Sequence, residues 1–161
     1  MGDKCRNKVL RDFVRKYFPK VQRICVVADG NGELSALLHD AGYAVRMVEP
    51  NPRHLKRRTG IKYEKRCFKR TDTIKEDLII GMHPDEATVE ILFAALTQKK
   101  HFILVPCCVV GDPAYTRNVN GYHAWIRKLR GLAGGPTACE HDILPIDGAN
   151  RVLFRKEPRH V

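Results

Sequence analysis

The sequence contains no apolar run near the roughly 20 residues needed to cross a membrane, so no spanning helix and no membrane partner is expected. It has no signal-peptide pattern. Met1-Gly2 begins like a myristoylation site, but Arg6 stands where Ser or Thr is required. The six cysteines include no C-x-x-C pair. Cys25, Cys107 and Cys108 lie in apolar, strand-like runs, the pattern of reduced, buried thiols in an intracellular protein; cytoplasm, nucleus and mitochondrion remain open. There is no internal repeat, low-complexity run or linker, so residues 1–161 read as one domain. Acids are scarce: Asp+Glu number 18 against 29 Lys+Arg, a net charge of +11. An excess of that size suits a polyanionic partner, most often nucleic acid; the alternative is solubility alone.

What is present is organised around residues 26–35, Val-Val-Ala-Asp-Gly-Asn-Gly-Glu-Leu-Ser. Before it, Arg23 to Val27 is an apolar, β-branched run, the pattern of a buried strand. After it, Leu34, Leu37, Leu38 and Ala41 recur at helical spacing and stop at Gly42. Gly30 and Gly32 would let backbone N–H groups approach a ligand at a helix N-terminus. A second strand, Tyr43 to Val48, ends in Glu49, where a βαβ unit holds ribose hydroxyls. Strand, turn, helix, strand and acid in that order point to a nucleoside-containing cofactor.

The rest of the chain continues the alternation. An amphipathic helix over about 3–18 puts Val9, Leu10, Phe13, Val14 and Tyr17 on one face, to be laid against a sheet. A short helix is expected over 53–58 and strand three over 61–68. Strand four covers 77–82, a helix 85–98, strand five 101–105 and a helix 122–132. Two final strands, about 139–146 and 151–156, are joined by Asp147-Gly148-Ala149-Asn150, a hairpin signal. The fold class is therefore α/β: a three-layer sandwich around a mostly parallel, seven-stranded sheet with a C-terminal antiparallel β-hairpin.

Five βα units followed by a β-hairpin resemble the class I S-adenosylmethionine-dependent methyltransferase fold over the whole chain. Gly30 and Gly32 match the second and third glycines of that family's motif, and Glu49 matches its ribose acid. Ala28 stands at the family's first glycine and Val26 at its upstream acid, with Asp29 a substitute from a shifted position. The resemblance implies S-adenosylmethionine as cofactor, held around Ala28, Asp29, Gly30, Gly32, Glu49 and Met82. A dinucleotide-binding Rossmann domain fits less well. It wants Gly or Ala where this chain has Ser35, and it has no use for the hairpin. A narrower resemblance rests on His83-Pro84-Asp85-Glu86 after strand four and Pro106-Cys107-Cys108 after strand five. It is to a methyltransferase subgroup that includes tRNA 2′-O-methyltransferases, whose usual His-x-Cys-Gly is replaced here.

Ligands in open α/β sheets bind beyond the carboxyl ends of the strands. There His83 could accept the methyl acceptor's proton, with Asp85 or Glu86 orienting it. The alternative is that Asp85 caps the next helix while Pro84 fixes the turn. Cys107 and Cys108 are either small packed residues, as buried free cysteines often are, or a thiolate acting on a pyrimidine. A metal site with His83 and His101 matches no zinc spacing, so no metal is expected. The basic run Arg53, Lys56, Arg57, Arg58, Lys62, Lys65, Arg66, Lys69 and Arg70 has Glu64 as its one acid. At a sheet edge it would track an RNA backbone. The first expectation is thus a methyltransferase acting on RNA or an RNA-associated substrate, with a protein partner and the oligomeric state left open. The second is a catalytically inactive protein of the same fold serving as an RNA-binding or ribonucleoprotein-assembly module. A nicotinamide-dependent oxidoreductase is third.

Overall fold

The computed structural model describes residues 4–55 and 57–156. Seven strands form one sheet. In chain order they are β1 (Arg23–Val27), β2 (Ala44–Val48), β3 (Lys62–Glu64), β4 (Leu78–Met82), β5 (His101–Val105), β6 (Glu140–Ile143) and β7 (Arg151–Arg155). Their order across the sheet is β3-β2-β1-β4-β5-β7-β6. The first five strands pair in parallel, while β7 runs antiparallel to both β5 and β6. The hairpin forms one edge of the sheet, as the sequence predicts, with its second strand on the inner side. β7 is inserted beside β5, and β6 forms the border.

The helices cover both faces, as the strand sequences require. Side chains alternate across a strand. Ile24 and Val26 of β1 join Leu78-side neighbours Ile80 and Ile103 under α1 (Arg6–Tyr17) and α2 (Glu33–Asp40), through Leu10, Phe13, Val14, Leu34 and Leu38. Cys25 and Val27 face the other way. They join Ile79, Phe102 and Leu104 under α3 (Thr88–Thr97) and α5 (Tyr122–Leu132), through Val89, Leu92, Trp125 and Leu129. Both faces of the central strands are buried, which is why those strands read as continuous apolar runs. Each large side chain so covered contributes about 1.5–3 kcal/mol relative to exposure. A short helix, α4 (Pro113–Thr116), lies in what the sequence reads as loop; Asp112 caps it by accepting from Ala114 N–H at 2.9 Å.

Four expectations need correction. Residues 53–55 and 57–58 form no helix: Pro50 and Pro52 precede them and His54 has φ +49°, a left-handed value no helix accepts. Strand three is cut to Lys62–Glu64, because Arg66 turns away to bond the Cys67 carbonyl and Asp72. The link between β6 and β7 spans residues 144–150 rather than a four-residue turn: beyond the Ile143–Arg151 pair only the Leu144 N–H still donates across, to the Asn150 carbonyl at 2.8 Å, and Leu144 and Ile146 are buried in the core. Cys25 is buried, but Cys107 and Cys108 are only half-buried, on the loop beyond β5.

Candidate functional site

The carboxyl ends of β1, β2 and β4 open into a cavity of about 950 Å³. A groove of about 500 Å³ lies instead among residues that begin β1, β2 and β3, such as Arg23, Ala44 and Lys62. Ligand sites in such sheets form at the other end. The large cavity is lined by Ala28, Asp29, Gly30, Glu49, Arg53, Met82, His83 and Asp85, eight of the expected site residues. Cys67 and Phe68, from the segment after β3, and Arg6 and Asn7 of α1 complete its walls.

The turn between β1 and α2 is built from left-handed residues: Ala28 at φ 58°, Gly30 at 58° and Gly32 at 75°. At Gly32 an added side chain would also force Leu55 to move. A Cβ there would lie 2.7 Å from Leu55 Cδ1. Gly30 is different, since a Cβ would meet nothing within 4 Å; its backbone faces open space. Ala28 adopts the conformation glycine prefers at the place where the related motif has glycine, at a cost of about 1–2 kcal/mol.

Glu49, at the end of β2, is 8% exposed. Its Oε2 accepts from Gly30 N–H at 2.9 Å and its Oε1 from Asn51 N–H at 2.7 Å. The acid thus ties the β2 end to the β1 turn and keeps lone pairs for a ligand hydroxyl. Asp29 points elsewhere. Its carboxylate accepts from Leu34 N–H at 3.3 Å and Ser35 N–H at 2.7 Å, while Asn31 Oδ1 accepts from Glu33 N–H at 3.1 Å. These side chains occupy the first amides of α2, which the glycine pattern alone suggested were free for a ligand. Burial raises the Asp29 carboxyl to about 6.

His83, at φ 52°, is half-buried between two elements distant in sequence. Its Nδ1 lies 3.1 Å from Arg6 Nη1, and its Nε2 lies 2.9 Å from the Ala149 carbonyl. Arginine can only donate, so Nδ1 accepts and Nε2–H donates. That is the neutral tautomer, and burial lowers the His83 pKa from its ordinary value. No helix-capping bond comes from the Asp85 side chain; α3 starts after a 3-10 turn, Asp85–Ala87, and Thr88 Oγ1 donates to the Asp85 carbonyl at 2.7 Å. Instead Asp85 Oδ1 accepts from the Cys107 thiol at 2.9 Å. Burial, then the adjacent Asp85 and Cys108, push the Cys107 thiol up, which disfavours the thiolate that a nucleophilic role would need.

The basic segment is less free than its sequence suggests. Arg58 pairs with Asp40, Arg66 with Glu64 and Asp72, and Arg70 with Glu90. Arg70 also lies 5.1 Å over the Phe93 ring and 5.6 Å over that of Tyr115, and its guanidinium holds Glu90 below the usual carboxylate range. Arg57 sits 5.1 Å over the Tyr63 ring. Arg53, Lys65 and Lys69 are exposed; Lys56 lies outside the described residues. Glu64 and Asp72 are close in sequence, but Asp40 and Glu90 lie 18 and 20 residues from the arginines they pair with, beyond a local reading. Sequence reasoning also missed Arg6 and Asn7 as cavity residues, and no local signal marked them.

The sequence matches no protein-family model and no curated protein. The fold does have solved counterparts. The apo form of the S-adenosylmethionine-dependent methyltransferase SibL aligns with a TM-score of 0.62 at 16% identity, covering 95% of this chain and 55% of that one. Magnesium protoporphyrin IX methyltransferase (ChlM) from Synechocystis PCC 6803, solved with bound SAM, aligns at 0.56 and 16%, covering 92% and 76%. Mitomycin 7-O-methyltransferase MmcR aligns at 0.55 and 13%, covering 92% and 52%. The chain spans about half the length of SibL and MmcR. It has the class I methyltransferase fold, with its seven-stranded sheet and antiparallel β7.

Proposed function

We propose that the chain binds S-adenosylmethionine in the 950 Å³ cavity and directs methyl transfer to RNA or an RNA-associated substrate. The observation that carries the donor assignment is the occupied N-terminus of α2. Dinucleotide sites place a pyrophosphate on those amides. Here Asp29 and Asn31 already hold them, and Asp29 brings a carboxyl group. The same cavity is lined by Glu33, Glu49, Asp85 and Glu86, with Glu90 already paired to Arg70. Acids concentrated in one cavity of a chain with net charge +11 suit a cationic nucleoside without phosphate. Gly30, whose backbone faces open space, and Glu49, with spare lone pairs, fit the ribose end of such a ligand.

When bound, the cofactor supplies an electrophilic methyl on a sulfonium. The residues of this chain orient and handle protons. Glu49 accepts from ribose hydroxyls while holding the turn through Gly30. Met82 and Phe68 give apolar walls that exclude water. His83 is neutral, as a proton acceptor must be, and its Nδ1 becomes available when the Arg6 contact opens. Asp85 lines the same cavity, but its carboxylate bonds the Cys107 thiol and does not orient the His83 ring as the sequence reading expects. Exposed Arg53 at the cavity, with Lys65 and Lys69 beyond it, supports the RNA reading through phosphate contacts.

The second reading, a non-catalytic RNA-binding module of the same fold, is favoured by the occupation of both His83 nitrogens. Calorimetry with S-adenosylmethionine and S-adenosylhomocysteine separates the two. Saturable binding supports the donor site; no detectable binding at millimolar ligand sinks it and leaves the module.

A further inference from the structure

The loops after β4 and β5 meet in a cluster beside the cavity. Cys107 Sγ lies 3.2 Å from Cys108 Sγ and 2.9 Å from Asp85 Oδ1. Cys108 Sγ lies 3.7 Å from the same oxygen. Among the described residues, these three form a group whose ligand atoms all fall within 4.8 Å of one another. Both cysteines are free thiols and half-buried, and Asp85 is exposed.

The backbone departs from its preferences to make this cluster. His83 and Asp85 have φ values of 52° and 48°. Left-handed conformations in non-glycine residues cost of order 1–3 kcal/mol each and gather at ligand sites. The strained turn takes the Asp85 side chain away from helix capping and onto the cysteines. Gly111, at φ 120°, a conformation other residues rarely adopt, sits where the two loops approach each other, its Cβ position 3.4 Å from the Glu86 carbonyl oxygen.

We propose that Cys107, Cys108 and Asp85 bind one thiophilic divalent cation of the zinc class, through both sulfurs and one carboxylate oxygen. Zinc takes sulfur at about 2.3 Å and carboxylate oxygen at about 2.0–2.2 Å. With those bonds, a tetrahedral ion sets its two sulfurs about 3.8 Å apart and sulfur from oxygen about 3.5 Å. The observed separations of 3.2, 2.9 and 3.7 Å reach that geometry with shifts of about 0.6 Å or less. The short contacts are those of a thiol proton shared with a carboxylate. Binding replaces the two thiol protons by the ion and releases them to the buffer. Three protein ligands leave a fourth position for water or an acceptor. Spacing along the chain gave no zinc pattern because the ligands are split: 22 residues separate Asp85 from Cys107. β4 and β5 lie side by side, so their ends bring the ligands together. The site stands whether or not the chain transfers methyl groups.

The test uses the full chain, stripped of metal with a chelator and kept reduced, then titrated with Co²⁺ and back-titrated with Zn²⁺. The expected result is a thiolate-to-cobalt charge-transfer band with tetrahedral d–d absorption, saturating at one ion per chain and displaced by zinc. Proton release near two per ion accompanies it. The double variant Cys107→Ser/Cys108→Ser abolishes the band. Asp85→Asn, an exposed change that spares the fold, keeps the sulfur band but weakens zinc binding by about tenfold or more. Cys5→Ser/Cys67→Ser removes the other two exposed thiols and leaves the band unchanged. Absence of the band in the wild type overturns the proposal. So does a band that survives loss of Cys107 and Cys108, disappears with Cys5 and Cys67, or belongs to a site indifferent to Asp85→Asn.

Discussion

The Glu49 carboxylate accepts the Gly30 N–H at 2.9 Å, joining the acid at the end of β2 to the turn at the end of β1. One side chain therefore ties together two of the loops that wall the cavity. Glu49→Ala leaves the Gly30 and Asn51 amides without their acceptor, an expected loss of about 1–3 kcal/mol per buried donor. Glu49→Gln keeps a carbonyl acceptor, so its melting temperature falls less. Its affinity for S-adenosylmethionine, measured by calorimetry, is expected to drop by about tenfold, the worth of one charged hydrogen bond. Wild-type affinity in Glu49→Gln would place the ribose elsewhere.

Asp29 makes stability depend on pH. Its carboxyl is raised to about 6 by burial, against an ordinary value of 3.8. A folded pKa above the unfolded one means that the native state binds the proton more tightly. The contribution is full below pH 4 and disappears as pH rises through 6, amounting to at most about 3 kcal/mol. Asp29→Asn is expected to flatten the denaturation midpoint between pH 4 and 6. A slope identical to wild type there would show that Asp29 titrates normally.

Arg6 and His83 give the opposite sign. The His83 pKa is lowered, first by burial, so its stabilising contribution is present above the ordinary histidine range and is lost as pH falls through its folded value. A protonated ring presents an N–H to the Arg6 guanidinium, breaking the 3.1 Å contact. Acidification is therefore expected to loosen the start of α1, seen as faster amide exchange at residues 9–11. Arg6→Ala should show that fast exchange already at neutral pH. Exchange that ignores both changes would rule out the Arg6–His83 contact as what holds the start of α1.

Ala28 carries φ 58°. Ala28→Gly relieves about 1–2 kcal/mol of strain and adds about 0.5–1 kcal/mol of unfolded-state entropy cost. The expected net is a gain of up to about 1.5 kcal/mol, a melting temperature higher by up to about 3–6 °C. A lower melting temperature would mean that the Ala28 methyl, packed against the core beneath α3 and α5, outweighs the strain.

Nucleic-acid binding is expected to weaken steeply with salt. Arg53→Ala and Lys69→Ala should each reduce the slope of log affinity against log salt by about 0.7 for single strands. Arg70→Ala should act on stability instead, because it breaks the ion pair with Glu90. A flat salt dependence in the wild type would assign the net charge to solubility.

Most of the fold was legible in the sequence, and for a physical reason. The strands of the sheet centre are buried on both faces, so Ile24 to Val27 and Leu78 to Met82 had to be continuous apolar runs. The turn at Gly30 and Gly32 and the acid at Glu49 are local signals, because each depends on backbone conformation or on a strand end. The edge was less legible. β3 is short and held by ion pairs with Arg46 and Arg66, and such pairs leave no periodicity to read.

The sequence by itself thus determined the layers, the order of strands and helices, and the turn that begins the cavity. Tertiary structure alone decided who meets whom there. It turned Asp29 onto its own helix, placed Arg6 on His83 across 77 residues, drew Glu90 to Arg70 and brought Asp85 to Cys107. Hydrophobic patterning is written along the chain because burial acts on each residue in turn. Hydrogen bonds and charge pairs are directional and short-ranged, so their partners exist only after the sheet has set its strand ends side by side.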